Sequence, residues 1–428
     1  MLHRFKLPGM LVVVLSIFVT LILFIQAKDA AFVWSSQWLR VSSQVAALLG
    51  TVFLSFSFIL SAKARWLQRV FGGLDIMYHL HHLLGILAFI LLTYHPILLA
   101  VQALPIPGAA LIYISPFTSS AYLYGQLALV TMTILIMLTL FVRLPYNIWK
   151  TTHQWMGLAL LFAALHIFTI SSDTANSPLL RAWMIGWILV ALFSFLFIKV
   201  FYRWFSTRLD YVVSNVNVYE SVTAFALSPM KKALDFQPGQ FAFLQFADQA
   251  VSTESHPFSI VSPPGSPTLE FWSKDIGDYT TRLKLLPTGC TAIIDGPYGN
   301  FMETVPLAKH VICVAGGIGI TPFMSLMQSK MDIAPVTVVH TIKNQEESAF
   351  LLTKQHLPPV MQHRYIVHES ESQGRLTGEI LKNYDDNWQT AHYYFCGPPP
   401  MMEALRTQLL TLGIRPSKIF FEDFSFKQ

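Results

Sequence analysis

The chain has 428 residues, of which 53% are hydrophobic and only 12% charged, a balance that excludes an ordinary soluble enzyme of this length. Its formal charge of +5 is not a nucleic-acid signature, because no Lys/Arg-rich tract occurs and the cations instead flank apolar runs, as membrane topology requires. The three cysteines, Cys290, Cys313 and Cys396, have the spacing of neither a zinc site nor a redox pair, and read as core residues in a reducing compartment.

About 20 apolar residues are needed to cross the roughly 30 Å hydrocarbon core. Six stretches qualify: Leu11–Ala27, Ser43–Ala62, Ile76–Val101, Tyr122–Val142, Thr152–Ile170 and Trp183–Val200. The first has the Arg4 and Lys6 of a signal peptide, but Gln26-Ala27-Lys28-Asp29 contains no small-x-small cleavage site, so it is read as a span. Lys63, Arg65 and Arg69 fall in the second connection, Arg143 and Lys150 in the fourth, and Lys199, Arg203 and Arg208 after the sixth. By the positive-inside rule these are cytoplasmic. An even number of spans then puts both termini of this multi-pass chain inside. The third connection, Gln102 to Ala121, carries no charge, and Arg40 stands at the outer start of the second span.

Histidine is expensive in hydrocarbon and implies a partner, a proton path or a metal. The third span carries His79, His81, His82 and His95, and the fifth carries His153 and His166. From His81 to His95 is 95 − 81 = 14 residues, a rise of roughly 21 Å that ends about 40° short of four full turns, so both lie on nearly one face. His153 and His166 are 166 − 153 = 13 residues apart and point about 140° apart on an ideal helix, which calls for a π-bulge or for ligands gripping from different sides. Spans three and five run the same way, so the residues pair by depth: His81 with His153 toward the cytosol, and His95 with His166 toward the outside. Each pair supplies both axial ligands of a haem iron. His82 is the alternative inner ligand, while His79 and His82 otherwise face headgroups or a propionate. Gly85 offers a bare ridge to a macrocycle or another helix. The competing class is a transporter or proton channel with a regulatory nucleotide-binding domain, in which these histidines carry protons.

After Arg208 the pattern turns to short alternating segments, Tyr211–Val216 and Phe241–Phe246, separated by Pro-Gly turns, which predicts an antiparallel barrel. His256-Pro257-Phe258-Ser259 places an aromatic beside a hydroxyl at a strand end, suited to a flavin ring and its polar edge. Lys274 to Thr280, with Gly277, introduces a helix start whose free N–H groups suit the pyrophosphate of FAD. Next, Val311–Ala315 reads as a buried parallel strand followed by Gly316-Gly317-Ile318-Gly319-Ile320-Thr321-Pro322, a phosphate-cradling turn into a helix, though not the six-residue dinucleotide fingerprint. Val336–His340 is a second strand, and Tyr393–Phe395 a later one ending in Cys396-Gly397-Pro398. Because ligands bind beyond strand C-termini in such sheets, Gly316, Thr321, Cys396 and Gly397 are expected to line one nicotinamide site.

With these motifs placed, nearly the whole chain resembles a bacterial member of the NADPH oxidase and ferric reductase superfamily. The carrying residues are His81-x-x-x-Gly85 with His95, His153 and His166; His256-Pro257-Phe258-Ser259; Gly316-Gly317-x-Gly319-x-Thr321-Pro322; and Cys396-Gly397-Pro398. The resemblance implies a six-span α-helical bundle with two haem b groups (residues 1–205), an FAD-binding β-barrel (206–304) and a Rossmann-like α/β domain for NAD(P)H (305–428). It further implies hydride transfer near Cys396 and a C-terminal aromatic over the flavin, Phe424 with Phe426 as rival. NADPH is the implied donor, with NADH possible. No acidic residue immediately follows the second nucleotide-domain strand, and Lys343 or Arg375 is placed to meet a 2′-phosphate. The implied acceptor is oxygen, giving superoxide, or a ferric chelate. No EF-hand loop occurs, which argues against calcium control.

Overall fold

The computed structural model describes residues 7–28, 37–115, 120–171, 173–202, 208–330, 333–357 and 364–422. The chain divides into two compact units, 1–204 and 205–428.

The first unit is helical: α1 (Leu7–Gln26), α2 (Trp38–Leu60), α3 (Arg65–Phe71), α4 (Leu74–Ala103), α5 (Leu111–Ile114), α6 (Ser120–Phe141), α7 (Tyr146–His153), α8 (Met156–Thr169), α9 (Asp173–Asn176) and α10 (Pro178–Leu196), which runs on into a π-helical turn, Phe197–Phe201. Among the described residues, five helices are long and apolar enough to cross a membrane: α1, α2, Ile76–Ala103 of α4, α6, and α10 with its π turn. The expected fifth span is not one helix. It breaks between His153 and Met156, leaving α8 with 14 residues.

Local chemistry sets the ends. Gly72, at φ 111°, supplies the left-handed cap that stops α3 and turns the chain into α4. Ser177 caps α10, with Pro178 at its first turn. Pro96 inside α4 donates no hydrogen bond to Leu92, one turn back. At that level Gly50 lets α2 approach, since a Cβ there would lie 2.8 Å from Leu92 Cγ. α2 is the most enclosed helix; Val52, Phe56 and Leu60 are among its fully buried residues, and Phe56 meets Trp187 of α10 at a centroid distance of 4.6 Å. Trp183 Nε1 donates to Thr20 Oγ1 at 2.8 Å, joining α10 to α1.

The second unit holds two sheets. Strands β1 (Arg208–Val218), β2 (Val222–Pro229), β3 (Phe241–Phe246), β4 (Ser255–Ser259), β5 (Leu269–Lys274) and β6 (Thr291–Tyr298) form an antiparallel sheet in the order β4-β3-β6-β1-β2-β5. It curls until its edges nearly meet, where Val261 N donates to Glu270 O at 2.9 Å. The interior is aromatic, with Phe225, Phe246 and Phe271 fully buried. Strands β7 (Val311–Gly316), β8 (Val336–Ile342), β9 (Arg364–Glu369), β10 (His392–Cys396) and β11 (Ile419–Glu422) form a parallel sheet in the order β11-β10-β7-β8-β9. Every residue of central β7 is buried, as helix-covered parallel strands require. The order reverses between β7 and β10, so the loops leaving these two strands face one crevice.

Candidate functional site

The membrane unit brings its histidines together in the expected pairs. The rings of His81 and His153 lie with centroids 6.1 Å apart and planes at 72°. An iron bonded to one nitrogen of each ring at about 2 Å would space two imidazole centroids by about 6 Å, so the pair fits a bis-imidazole haem site. His95 and His166 are neighbours in the same unit. His79 and His82 are exposed, whereas His81 is half-buried.

A histidine that binds metal needs a bare nitrogen, and the other ring nitrogen decides which one that is. His81 Nδ1 is 2.8 Å from the carbonyl oxygen of Ser57 and 2.9 Å from its Oγ. His95 Nδ1 repeats this with Ser43, at 3.0 Å and 2.7 Å. His166 Nδ1 meets Ala121 O at 2.7 Å. A carbonyl only accepts, so all three Nδ1 atoms carry the proton and Nε2 is left with its lone pair. His153 differs: its Nδ1 is buried with no hydrogen-bond partner among the described residues, and Trp149 stacks on its ring at 5.4 Å.

The break in the fifth stretch accounts for the 13-residue spacing. Trp155 N, Gly157 N and Leu158 N bond to Thr152 O, Gln154 O and Trp155 O, each three residues back. Such closures turn the chain about 120° per residue instead of about 100°, removing roughly 60° of the offset between His153 and His166. The irregularity is thus a tightened turn and not the π-bulge the spacing had suggested; the π turn lies elsewhere, at Phe197–Phe201. Two glycines make room along this stretch. A Cβ on Gly125 would sit 3.0 Å from His166 Nδ1, and one on Gly157 only 2.2 Å from Phe195 Cζ. Gly85 faces α2, where its Cβ would meet Ser57 Oγ at 3.5 Å.

In the second unit the two glycine turns meet as the strand order demands. A Cβ on Gly319 would fall 2.2 Å from Cys396 O, one on Gly316 2.6 Å from Pro398 Cδ, and one on Gly397 2.9 Å from Gly316 Cα. Backbone lies against backbone here, which only glycine permits. Gly317 has φ +52°, and its carbonyl accepts from His340 Nε2 at 2.8 Å while Tyr365 Oη donates to His340 Nδ1 at 2.8 Å. Burial lowers the His340 pKa to about 4, so the imidazole stays neutral. Thr321 is buried, its hydroxyl donating to Ile318 O at 3.1 Å. Pro322 sits in the first turn of the following helix, Thr321–Met327.

Other expected residues lie differently from the sequence reading. Phe258 is packed in the barrel core against Phe225 at 5.8 Å, not at an open face. Strand alternation then turns Pro257 and Ser259 to the opposite side. His256 stacks on Tyr279 at 3.7 Å and bonds Glu254 at 3.0 Å. The amides of Ile276 and Gly277, expected to be open, both donate to Thr280 Oγ1 at 3.0 Å. Lys274 pairs with Glu347 at 3.4 Å. Lys343 meets Glu371 at 3.2 Å, so the acidic residue missing after the second strand in sequence is supplied by the segment after the third. Arg375 is exposed, beside Gly374, whose carbonyl accepts from buried His368 at 2.9 Å. Phe424 and Phe426 lie outside the described residues.

Sequence comparison matches residues 46–164 to the ferric reductase like transmembrane component, 209–302 to an FAD-binding domain and 313–407 to an oxidoreductase NAD-binding domain. The chain has the architecture of the ferric reductase and NADPH oxidase superfamily. The chain is 32% identical to the 2-halobenzoate 1,2-dioxygenase electron transfer component of Burkholderia cepacia, over 47% of its own length and 62% of that protein. The chain is 23% identical to a flavohemoprotein of Oceanobacillus iheyensis over 65% of its own length and 75% of that protein. A ferredoxin NADP+ reductase from Neisseria gonorrhoeae, solved with FAD and NADP, aligns with 50% of this chain and 98% of its own at a TM-score of 0.42 and 22% identity.

Proposed function

We propose that this superfamily member carries electrons from cytosolic NAD(P)H across a bacterial cytoplasmic membrane to an acceptor outside, oxygen or a ferric chelate. FAD accepts a hydride and releases single electrons, which two haem b groups relay. The observation that carries the reading is the His81–His153 pair, 6.1 Å apart, with the Nδ1 of His81 tied to Ser57. That arrangement leaves Nε2 of His81 free for metal.

His81 and His153 would hold the inner haem, His95 and His166 the outer one. The broken pair α7 and α8 makes the fifth of six passes, which puts both termini in the cytosol. The barrel, proposed as residues 206–304, would hold FAD through the strand of His256, Pro257, Phe258 and Ser259 and the loop of Lys274, Gly277 and Thr280. Within the nucleotide domain, proposed as 305–428, Gly316, Gly317, Gly319, Thr321, Pro322, Gly397 and Pro398 shape the crevice for NAD(P)H, and Cys396 borders the hydride. Phe424 is proposed to shield the flavin. Lys343 and Arg375 would face a 2′-phosphate, making NADPH the proposed donor and NADH the alternative.

Replacing His95 by Ala tests the assignment. One of two haems should be lost while NADPH still reduces the flavin; unchanged haem content would defeat it. Superoxide output unaffected by added ferric chelates identifies oxygen as acceptor, and suppression by them identifies the chelate.

A further inference from the structure

Serine and threonine inside apolar helices ordinarily satisfy their hydroxyls on the carbonyl four residues back. Two residues of α2 do this, Thr51 on Ala47 O at 2.8 Å and Ser55 on Thr51 O at 2.9 Å. Ser43 and Ser57 do not. Their hydroxyls reach across to α4, where Ser43 Oγ donates to His95 O at 2.8 Å and Ser57 Oγ to His81 O at 3.3 Å. Each oxygen also faces the Nδ1 of the same histidine, at 2.7 Å and 2.9 Å. The serines are 57 − 43 = 14 residues apart, the same interval as His81 and His95 on the antiparallel neighbour. One helix thus presents the same clamp twice, at the two depths where the histidines lie.

We propose that Ser43 and Ser57 are positioning residues, each setting the ring orientation and donor strength of one histidine and so the reduction potential of one haem. The inference rests on the haem reading above. An oxygen accepting from Nδ1–H makes the imidazole a stronger donor, which favours ferric iron; its loss raises the potential. The serine carbonyl remains after substitution, so the change is partial.

The test is a redox titration of purified full-length protein, followed by haem absorbance and by electron paramagnetic resonance of the ferric state. The wild type should titrate in two one-electron steps. Ser57→Ala should raise one by about tenfold in the reduction equilibrium, which is about 59 mV for one electron, and Ser43→Ala should raise the other. Ser→Thr at each position keeps the hydroxyl and should restore the original step. Loss of one haem in an alanine variant with retention in the threonine variant also supports the clamp. Two unmoved steps in haem-replete alanine variants, both variants moving the same step, or threonine behaving like alanine overturns the inference while leaving the haem reading in place. Wild-type protein without porphyrin overturns both.

Discussion

His81 and His153 come from helices 72 residues apart in sequence (153 − 81), yet their rings face each other at 6.1 Å. His153 is the last residue of α7, and the tight turn at Gln154 and Trp155 lets α8 restart out of phase, which reorients His166 relative to it. An unbroken helix would have aimed its two histidines about 140° apart.

Under the proposed function this contact makes His81 the inner ligand. His81→Ala should remove one haem per chain, whereas His82→Ala, at an exposed position, should leave haem content unchanged. Haem-to-protein ratios of both purified variants check the assignment.

Gly319 cannot accept a side chain without moving backbone, because its Cβ would lie 2.2 Å from Cys396 O. Gly319→Ala is expected to cost about 1–3 kcal/mol and to cut flavin reduction by NAD(P)H at least tenfold. Bound flavin should persist, since the barrel does not contain this turn. Stopped-flow flavin bleaching separates the two effects.

His356 Nε2 lies 3.0 Å from Glu270 Oε1, linking β5 to the helix Ser348–His356, and Trp272 Nε1 donates to the same carboxylate oxygen at 2.8 Å. The bond to Glu270 raises the His356 pKa above 6.5 despite burial. Burial works against the charge on Glu270, but the bonds from His356 and Trp272 outweigh it and hold its carboxyl low. The sign for His356 is that its contribution is complete below pH 6.5 and is lost as pH rises through its raised folded value. Glu270 contributes above its ordinary value of 4.5 and loses that contribution as pH falls through its lowered one. His356→Ala should therefore flatten the decline in thermal stability above pH 6.5, measured on the full chain in detergent.

Glu371 holds Lys343 at 3.2 Å on an exposed surface, a pair worth under about 1 kcal/mol. Glu371→Gln should free the cation and raise kcat/KM for NADPH relative to NADH by roughly 2–5-fold. Arg375→Ala should lower the same ratio. Steady-state kinetics with both donors read it directly.

Much of this was legible in the sequence where a pattern is local. The 14-residue histidine interval in one span, the glycine turn after a buried strand and the Cys396-Gly397 turn each need only a few neighbouring residues to be read. Residues that act by packing between elements were hidden. Ser43 and Ser57 look like ordinary polar residues in an apolar helix until the antiparallel register of α2 on α4 sets them against His95 and His81. His340 reads as a strand residue until the sheet puts it beneath Gly317. Phe258 alternates correctly for a strand, but alternation does not say which face closes inward, and here the aromatic went into the barrel.

The proposed electron transfer requires porphyrin iron between α4 and the α7–α8 pair. The most direct measurement is an anaerobic absorption spectrum of detergent-purified protein before and after NADPH. Low-spin haem bands that sharpen only on reduction, with two haems per flavin, are the expected result. A preparation that holds flavin and oxidises NADPH but shows no porphyrin absorbance would contradict the account.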